Sequence, residues 1–313
     1  MSKAVFITGV TGYIGGETLA QLLKSPTTKG HKYSALVRNQ AKAQLLESLG
    51  VRPVIGTLDD RDLLIAEAKA ADVVIHTADS SDHVASCEAL LEGIRQKGEE
   101  TIYIHISGTG VLIDDARGEY ATDNIYSDLN PDHINSLPPT AFHRNVELMI
   151  LNASSELGSK IKTHIVLPST IYGIADNVLV QKGIANNISM QMPELIRLGI
   201  ARGQGGVMGK GLNCWPNIHI KEIGEIIALV FEKALEGKTA TGWEGYYFGE
   251  SGEYRGIDAA RAISKALSTK FGIGQPEPTV LTDEDVKKYL KGCITSRIIW
   301  EATHVVEENA FEL

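Results

Sequence analysis

The apolar run Ala4-Val5-Phe6-Ile7 leads at once into Thr8-Gly9-Val10-Thr11-Gly12-Tyr13-Ile14-Gly15-Gly16, and then into an amphipathic segment reaching Lys24. A buried strand, a glycine turn and a helix in that order constrain the fold more than any other feature of the chain. Unpaired N–H groups at a helix start and the helix dipole both favour an anion, so the turn reads as a pyrophosphate seat. Gly9 permits the tight turn, Gly12 lets a phosphate approach the backbone, and Gly15 lets helix and strand pack closely. Leu19, Leu22 and Leu23 mark the inward face of the helix, and a second strand at residues 33–37 follows at βαβ distance. No Gly-Lys-Ser/Thr follows the turn, which disfavours a nucleotide-hydrolysing phosphate loop.

The end of the second strand selects the cofactor. An NAD site normally places Asp or Glu there to accept from the ribose 2′-hydroxyl. This chain has Val37-Arg38-Asn39, with Lys42 one helical turn on. A carboxylate would repel a 2′-phosphate, whereas Arg38 can pair with one through its planar fork, so NADP(H) is expected over NAD(H).

Further strands at residues 53–56, 72–78, 101–107 and 163–167 alternate with helical patterns at 41–49, 86–96 and 140–153. Such alternation requires a parallel, doubly wound α/β sheet of Rossmann type. The loosest stretch is 113–139, rich in Asp, Asn and Pro. Residues 168–173 read as a loop leaving the sixth strand. Beyond Gly173 the rhythm loosens, with helices expected at 188–198, 220–235, 259–267 and 283–290. The glycine-rich run at 203–211 has no preceding strand and reads as a mobile loop or hairpin. The expected division is a nucleotide-binding domain over 1–172, with 213–249 returning to it, and a smaller C-terminal substrate-binding domain from 173–212 and 250–313.

A formal charge of −9 without a basic patch argues against nucleic acid or an anionic membrane as the main partner. Apolar stretches are no longer than strands, so neither a signal peptide nor a membrane span is read, and a cytoplasmic protein is expected. Cys87, Cys214 and Cys293 are too scattered for a zinc site or a disulfide framework, leaving free thiols in a reducing compartment.

These landmarks resemble the extended short-chain dehydrogenase/reductases, the NAD-dependent epimerase/dehydratase-like Rossmann family, almost end to end. Thr8 to Gly15 resembles its TGxxGxxG signature, Thr57-Leu58-Asp59 its adenine-side turn and His76-Thr77-Ala78 its HxA stretch. Ile106-Ser107 is similar to the strand carrying its catalytic hydroxyl, Pro168-Ser169-Thr170-Ile171-Tyr172-Gly173 to its RPxxVYG loop with Leu167 replacing arginine, and Ile218-His219-Ile220-Lys221-Glu222 to its HVxDV segment. By that resemblance Gly9, Thr11, Gly12, Tyr13, Ile14 and Gly15 hold the pyrophosphate, Arg38 and Asn39 the adenosine phosphate, and Asp59 the adenine. Thr77, Ala78, Ser107, Pro168 and Ser169 then border the ribose and nicotinamide, and helices 86–96 and 140–153 supply a homodimer face as in relatives.

One signature of that family is missing. Its chemistry uses Tyr and Lys four apart on one helical face, the Lys lowering the phenol pKa while the Tyr exchanges a proton with the substrate. No Tyr-x-x-x-Lys occurs in this chain, and aligning the helix by Glu147 puts Pro139 and His143 at those two positions. The hydroxyl position is shared between Ser107 and Thr109. Candidates for the proton donor are His143, Tyr126 folding in from its polar loop, and Asp79 with a pKa raised by burial; His143-Arg144 also offers a site for an anionic substrate or the cofactor phosphate. The expected function is NADP(H)-dependent hydride transfer on a small carbonyl, imine or activated alkene. The alternative is a catalytically silent NADP(H) sensor that binds a protein partner, similar to the nitrogen-metabolite-repression type. Sugar-nucleotide epimerisation or dehydration is disfavoured because it depends on the missing dyad.

Overall fold

Strict alternation of side-chain direction along short apolar strands organises the two cores. A computed structural model describes residues 2–289 and 304–306. In it β1 (Ala4–Thr8), α1 (Tyr13–Lys24), β2 (Lys32–Val37), α2 (Gln40–Glu47), β3 (Arg52–Ile55), α3 (Arg61–Ala70), β4 (Val73–His76), α4 (Val84–Lys97) and β5 (Thr101–Ile106) alternate without exception. Then come β6 (Ile125–Ser127), α5 (Pro131–Asn135), α6 (Arg144–Leu157) and β7 (Ile161–Pro168). The remainder is β8 (Thr170–Tyr172), α7 (Val178–Gln181), α8 (Gln191–Arg202), β9 (Gly206–Val207), β10 (Cys214–His219), α9 (Ile220–Leu235), β11 (Tyr246–Gly249), β12 (Gly252–Arg255), α10 (Gly256–Phe271), β13 (Thr279–Val280), α11 (Asp283–Tyr289) and β14 (His304–Val306).

Seven strands form one parallel sheet in the order β11-β7-β5-β4-β1-β2-β3. Val5, Ile7, Val73, Ile75, Ile102 and Ile104 point to one face, where Leu19 and Leu22 of α1, Ala43 and Leu46 of α2, and Ile223, Ile227 and Phe231 of α9 cover them. Phe6, Val74 and Tyr103 point to the other, beneath Leu64 and Ala68 of α3, Leu90 and Ile94 of α4, and Val146 and Ile150 of α6. The sheet is therefore doubly wound, as the sequence pattern requires. Strand order reverses between β1 and β4, and ligands of such sheets bind where the strands' C-terminal ends meet that reversal.

The smaller C-terminal part carries a three-stranded sheet, β12-β10-β8, and the parallel pair β13-β9. Several sequence expectations shift here. Residues 168–173 are not one loop, because Thr170 to Tyr172 pair with β10. The glycine run contains β9, paired with β13. The stretch 113–139 holds β6 and α5, with β6 alongside β14. The helix expected over 140–153 starts only at Arg144, because His143 adopts a left-handed backbone, φ 65° and ψ −16°, which ends the helix on its N-terminal side. Cys87 and Cys214 are free thiols. Cys293, Leu290 of the last expected helix, and the rest of 290–303 and 307–313 lie outside the described residues.

Phe231 is fully buried and meets the His31 ring edge-on, with centroids 5.5 Å apart. Phe231→Ala should lower unfolding free energy by about 3–5 kcal/mol, measured by urea titration followed by circular dichroism. A loss below about 1 kcal/mol would mean that α9 does not seal this face.

Candidate functional site

The C-terminal ends of β1 to β5 and β7 open on a cleft of about 850 Å³, closed on its far side by residues 186–194 and Trp215. Sheet order sets the sequence of groups along its floor: Asp59 after β3, Arg38 after β2, the glycine turn after β1, Thr77 to Asp79 after β4, Ser107 after β5 and Ser169 after β7. From β2 to β5 is three strand spacings, roughly 14 Å.

The turn is as tight as its glycines allow. Gly9 has φ +80°, and a Cβ there would lie 2.8 Å from the Ala78 amide nitrogen. A Cβ at Gly15 would fall on the Gly9 carbonyl and on Thr77 Oγ1. At Gly12, by contrast, it would meet only the Gly9 carbonyl, at 3.1 Å. The turn, closed by Gly12 N–H donating to that same carbonyl at 2.8 Å, thus presents bare backbone to the cleft. These features suit a phosphate group, whose oxygens need exposed N–H donors and no intervening side chain.

Beneath the turn, β1 and β4 are joined by a buried polar chain. Thr8 Oγ1 accepts from the amides of Thr77 and Ala78, at 3.2 and 3.3 Å, and lies 2.8 Å from His76 Nδ1. With both lone pairs occupied, the Thr8 hydroxyl donates to Nδ1, which puts the ring proton on Nε2, facing Ser86 Oγ at 3.2 Å. Ser86 in turn donates to the His83 carbonyl, 2.9 Å away. Burial drives the His76 pKa down to about 3, so the ring is neutral.

The second half of the chain grips the turn from above. Asn186 N–H donates to the Thr11 carbonyl at 3.1 Å, and the Tyr13 hydroxyl to the carbonyls of Tyr172 and Gly173, at 3.1 and 2.8 Å. Lys42 is turned to the Ile184 carbonyl, 2.7 Å away, rather than beside Arg38. Arg38 is exposed at the end of β2 and lines the cleft. Asp59 lies 3.4 Å from His83 Nε2 across the same end.

At the other end, Ser107 donates to Glu147 Oε1 at 2.6 Å, while Arg144 holds Glu147 Oε2 at 2.9 Å and the Tyr246 hydroxyl at 2.9 Å. Tyr246 donates onward to Asn135 Oδ1 at 2.7 Å. Burial pushes the Glu147 carboxyl above its usual range, against the pull of Ser107 and Arg144. His143 Nδ1 is 2.8 Å from Asp82 Oδ1, and its Nε2 edge lies over Gly108 and Gly110. A carboxylate at Nδ1 fixes the tautomer and leaves Nε2 toward the cleft.

Of the residues singled out from sequence, Gly9, Thr11, Gly12, Tyr13, Ile14, Gly15, Arg38, Asp59, Thr77, Ala78, Asp79, Ser107, Thr109, His143, Pro168 and Ser169 all line this cleft. Two are elsewhere. Tyr126 is buried in the core under α4 and α6, its ring stacked on His133 at 4.2 Å, because its apolar ring packs better there than in a polar loop. Asn39 accepts the Lys42 amide at 3.1 Å and caps α2. Sequence reading missed Asp82, which meets His143 from 61 positions away, and the role of Arg144, whose neighbours gave no local signal of a buried ion pair.

The NmrA-like family model matches residues 1–107. The oxidase ucsJ of Acremonium sp is 30% identical over 84% of this chain and 78% of its own. A sterol-4-alpha-carboxylate 3-dehydrogenase, decarboxylating, of Dictyostelium discoideum is 25% identical over 90% of this chain and 82% of its own. Among solved structures, the dTDP-glucose 4,6-dehydratase DesIV of Streptomyces venezuelae, determined with NAD and TYD bound, shares the fold with a TM-score of 0.60 at 17% identity, covering 91% of this chain and 90% of DesIV. No helix among the described residues is long and apolar enough to cross a membrane.

His76 makes the joint beneath the turn acid-sensitive. Its folded pKa of about 3 lies below the usual 6.5, so the stability it confers is complete above pH 6.5 and is lost as pH falls toward 3. His76→Asn should reduce the slope of unfolding free energy against pH in that window by up to about 1.4 kcal/mol per pH unit, read from urea titrations at successive pH values. An unchanged slope would place the acid sensitivity elsewhere.

Proposed function

The chain belongs to the extended short-chain dehydrogenase/reductase family, and from that premise we propose that its cleft takes NADP(H) and supports hydride transfer on a small carbonyl, imine or activated alkene. The observation that carries the reading is an open glycine cradle flanked, at the end of β2, by an exposed guanidinium in place of a carboxylate. In this reading Gly9, Thr11, Gly12, Ile14 and Gly15 hold the pyrophosphate, Arg38 the 2′-phosphate, and Asp59 the adenine side. Thr77, Ala78, Pro168 and Ser169 border the ribose and nicotinamide. When bound, the nicotinamide supplies or receives a hydride.

The chain's own residues do the rest. Residues 1–172 and 213–249 carry the coenzyme, while 173–212 and 250–313 carry the substrate. Ile188, Met190 and Trp215 form an apolar far wall against which an apolar substrate would pack. His143, its Nδ1–H donated to Asp82, presents Nε2 to the cleft in the position nearest to the family's absent lysine, where it would exchange a proton with the substrate. Ser107 is fixed by Glu147, and Thr109 offers a second hydroxyl. A homodimer would use the outer faces of α4 and α6, where Arg95 bridges Glu92 and Glu156.

The second reading, an NADP(H) sensor without turnover, is favoured by Pro139 and His143 standing where Tyr and Lys are expected and by the NmrA-like match. Assay of NADPH oxidation across ketones, imines and enones separates the two. In the enzyme, His143→Ala should lower kcat on a ketone by about 100- to 10,000-fold. Tight NADPH binding with no turnover across the panel favours the sensor instead. Arg38→Ala should weaken NADPH by about 10- to 150-fold, through loss of a charge-assisted pair, and leave NADH nearly unaffected in calorimetry. Equal losses for the two coenzymes would remove Arg38 from the 2′-phosphate.

A further inference from the structure

The two ends of the cleft differ in charge. Arg38 is the one Lys or Arg among the described residues that line it, and it stands at the end of β2. Beyond the glycine turn the acidic residues that line the cleft are Asp79 and Asp82 after β4, the latter paired with His143, and Glu194 of α8 in the far wall. Arg144, behind the wall, is fully buried and matched by Glu147, so it adds no net charge.

The hydroxyls there have a polarity too. Ser107 donates its proton to Glu147 Oε1, 2.6 Å away, whose other oxygen is held by Arg144, so Ser107 turns lone pairs rather than a donor to the cleft. An oxygen so committed repels a developing alkoxide. Ser169, 7% exposed in the same wall, has a hydroxyl without a partner in the folded chain, which a ligand would satisfy. Phe142 and Trp215 add aromatic surface, which suits a cation as well as an apolar ring.

We infer that this end of the cleft takes a cationic, largely apolar substrate, an alkyl- or aryl-substituted iminium ion or the amine related to it, in place of a neutral ketone or a sugar nucleotide. This deepens the oxidoreductase reading and rests on it for the redox step. In that step the hydride of the reduced nicotinamide forms the new C–H bond, the C=N π pair becomes the nitrogen lone pair, and the coenzyme leaves oxidised. One positive charge passes from iminium to coenzyme, and no proton is taken up. A site for this reaction has no use for an acidic tyrosine, and a lysine beside it would repel the substrate. The acids that attract the cation would likewise repel the diphosphate of a sugar nucleotide.

The test compares isosteres on coenzyme-free protein by calorimetry: N-methyl-3,4-dihydroisoquinolinium against neutral 1-tetralone, with UDP-glucose as a third probe. The cation should bind about ten-fold more tightly than the ketone at low salt, and UDP-glucose should not compete with it. The double variant Asp79→Asn, Glu194→Gln, checked for an unchanged melting temperature, should bring the two affinities within about two-fold. Where that variant does not fold, Asp79→Asn alone should reduce the preference. Equal binding of cation and ketone, binding of neither, a preference that survives the folded double variant, or tighter binding of UDP-glucose overturns the inference. NADPH titrated into the same samples is a separate readout: absent coenzyme binding overturns the proposed function, whereas the charge preference is decided without it.

Discussion

The joint between β1 and β4 is the constraint on which the rest of the molecule depends. Two neighbouring parallel strands end in a glycine turn and in Thr77, and there is no room between them for a Cβ at Gly9 or Gly15. Buried amides at that point need partners, and Thr8, His76 and Ser86 supply them in an unbroken chain of hydrogen bonds. Because the partners are neutral, the chain carries no charge into the core and avoids the desolvation cost of an ion. The same packing that forbids side chains below the turn leaves its upper surface bare, so stability and ligand access come from one geometry.

A second polar network, of opposite character, holds the reacting end. Arg144 and Glu147 are both fully buried, and they tie Ser107, just after β5, to Tyr246 on β11 and to Asn135 on α5. A buried ion pair seldom adds net stability over a well-packed apolar pair, yet loss of either partner is costly. What the network provides is position. It locks a hydroxyl in a single orientation at the cleft wall, where a mobile serine would serve either hydrogen-bond polarity.

Much of this was legible in the chain. The glycine turn, the period-two strands and the amphipathic helices α1 and α4 follow from local pattern, which is why the main sheet could be read in order. Arg38 was legible because a strand end in such a sheet has only one place to point. The start of α6 was misplaced because apolar periodicity through 140–153 looks helical, while the true start is set by the turn after Pro138 and a left-handed backbone at His143. Tyr126 was misplaced because its burial depends on His133 and α5, which no local pattern announces. Asp82 with His143 and Ser107 with Glu147 meet across 61 and 40 positions, distances at which spacing carries no information.

The seventh strand of the main sheet, β11, arrives only after the chain has left that sheet to build β8, α7, α8, β9 and β10, and it pairs Tyr246 to Gly249 along β7. Synthesis therefore passes through a stage in which β7 has emerged with a bare edge of N–H and C=O groups, open to pairing with another chain. Until β11 returns to β7, the main sheet remains unfinished and adhesive.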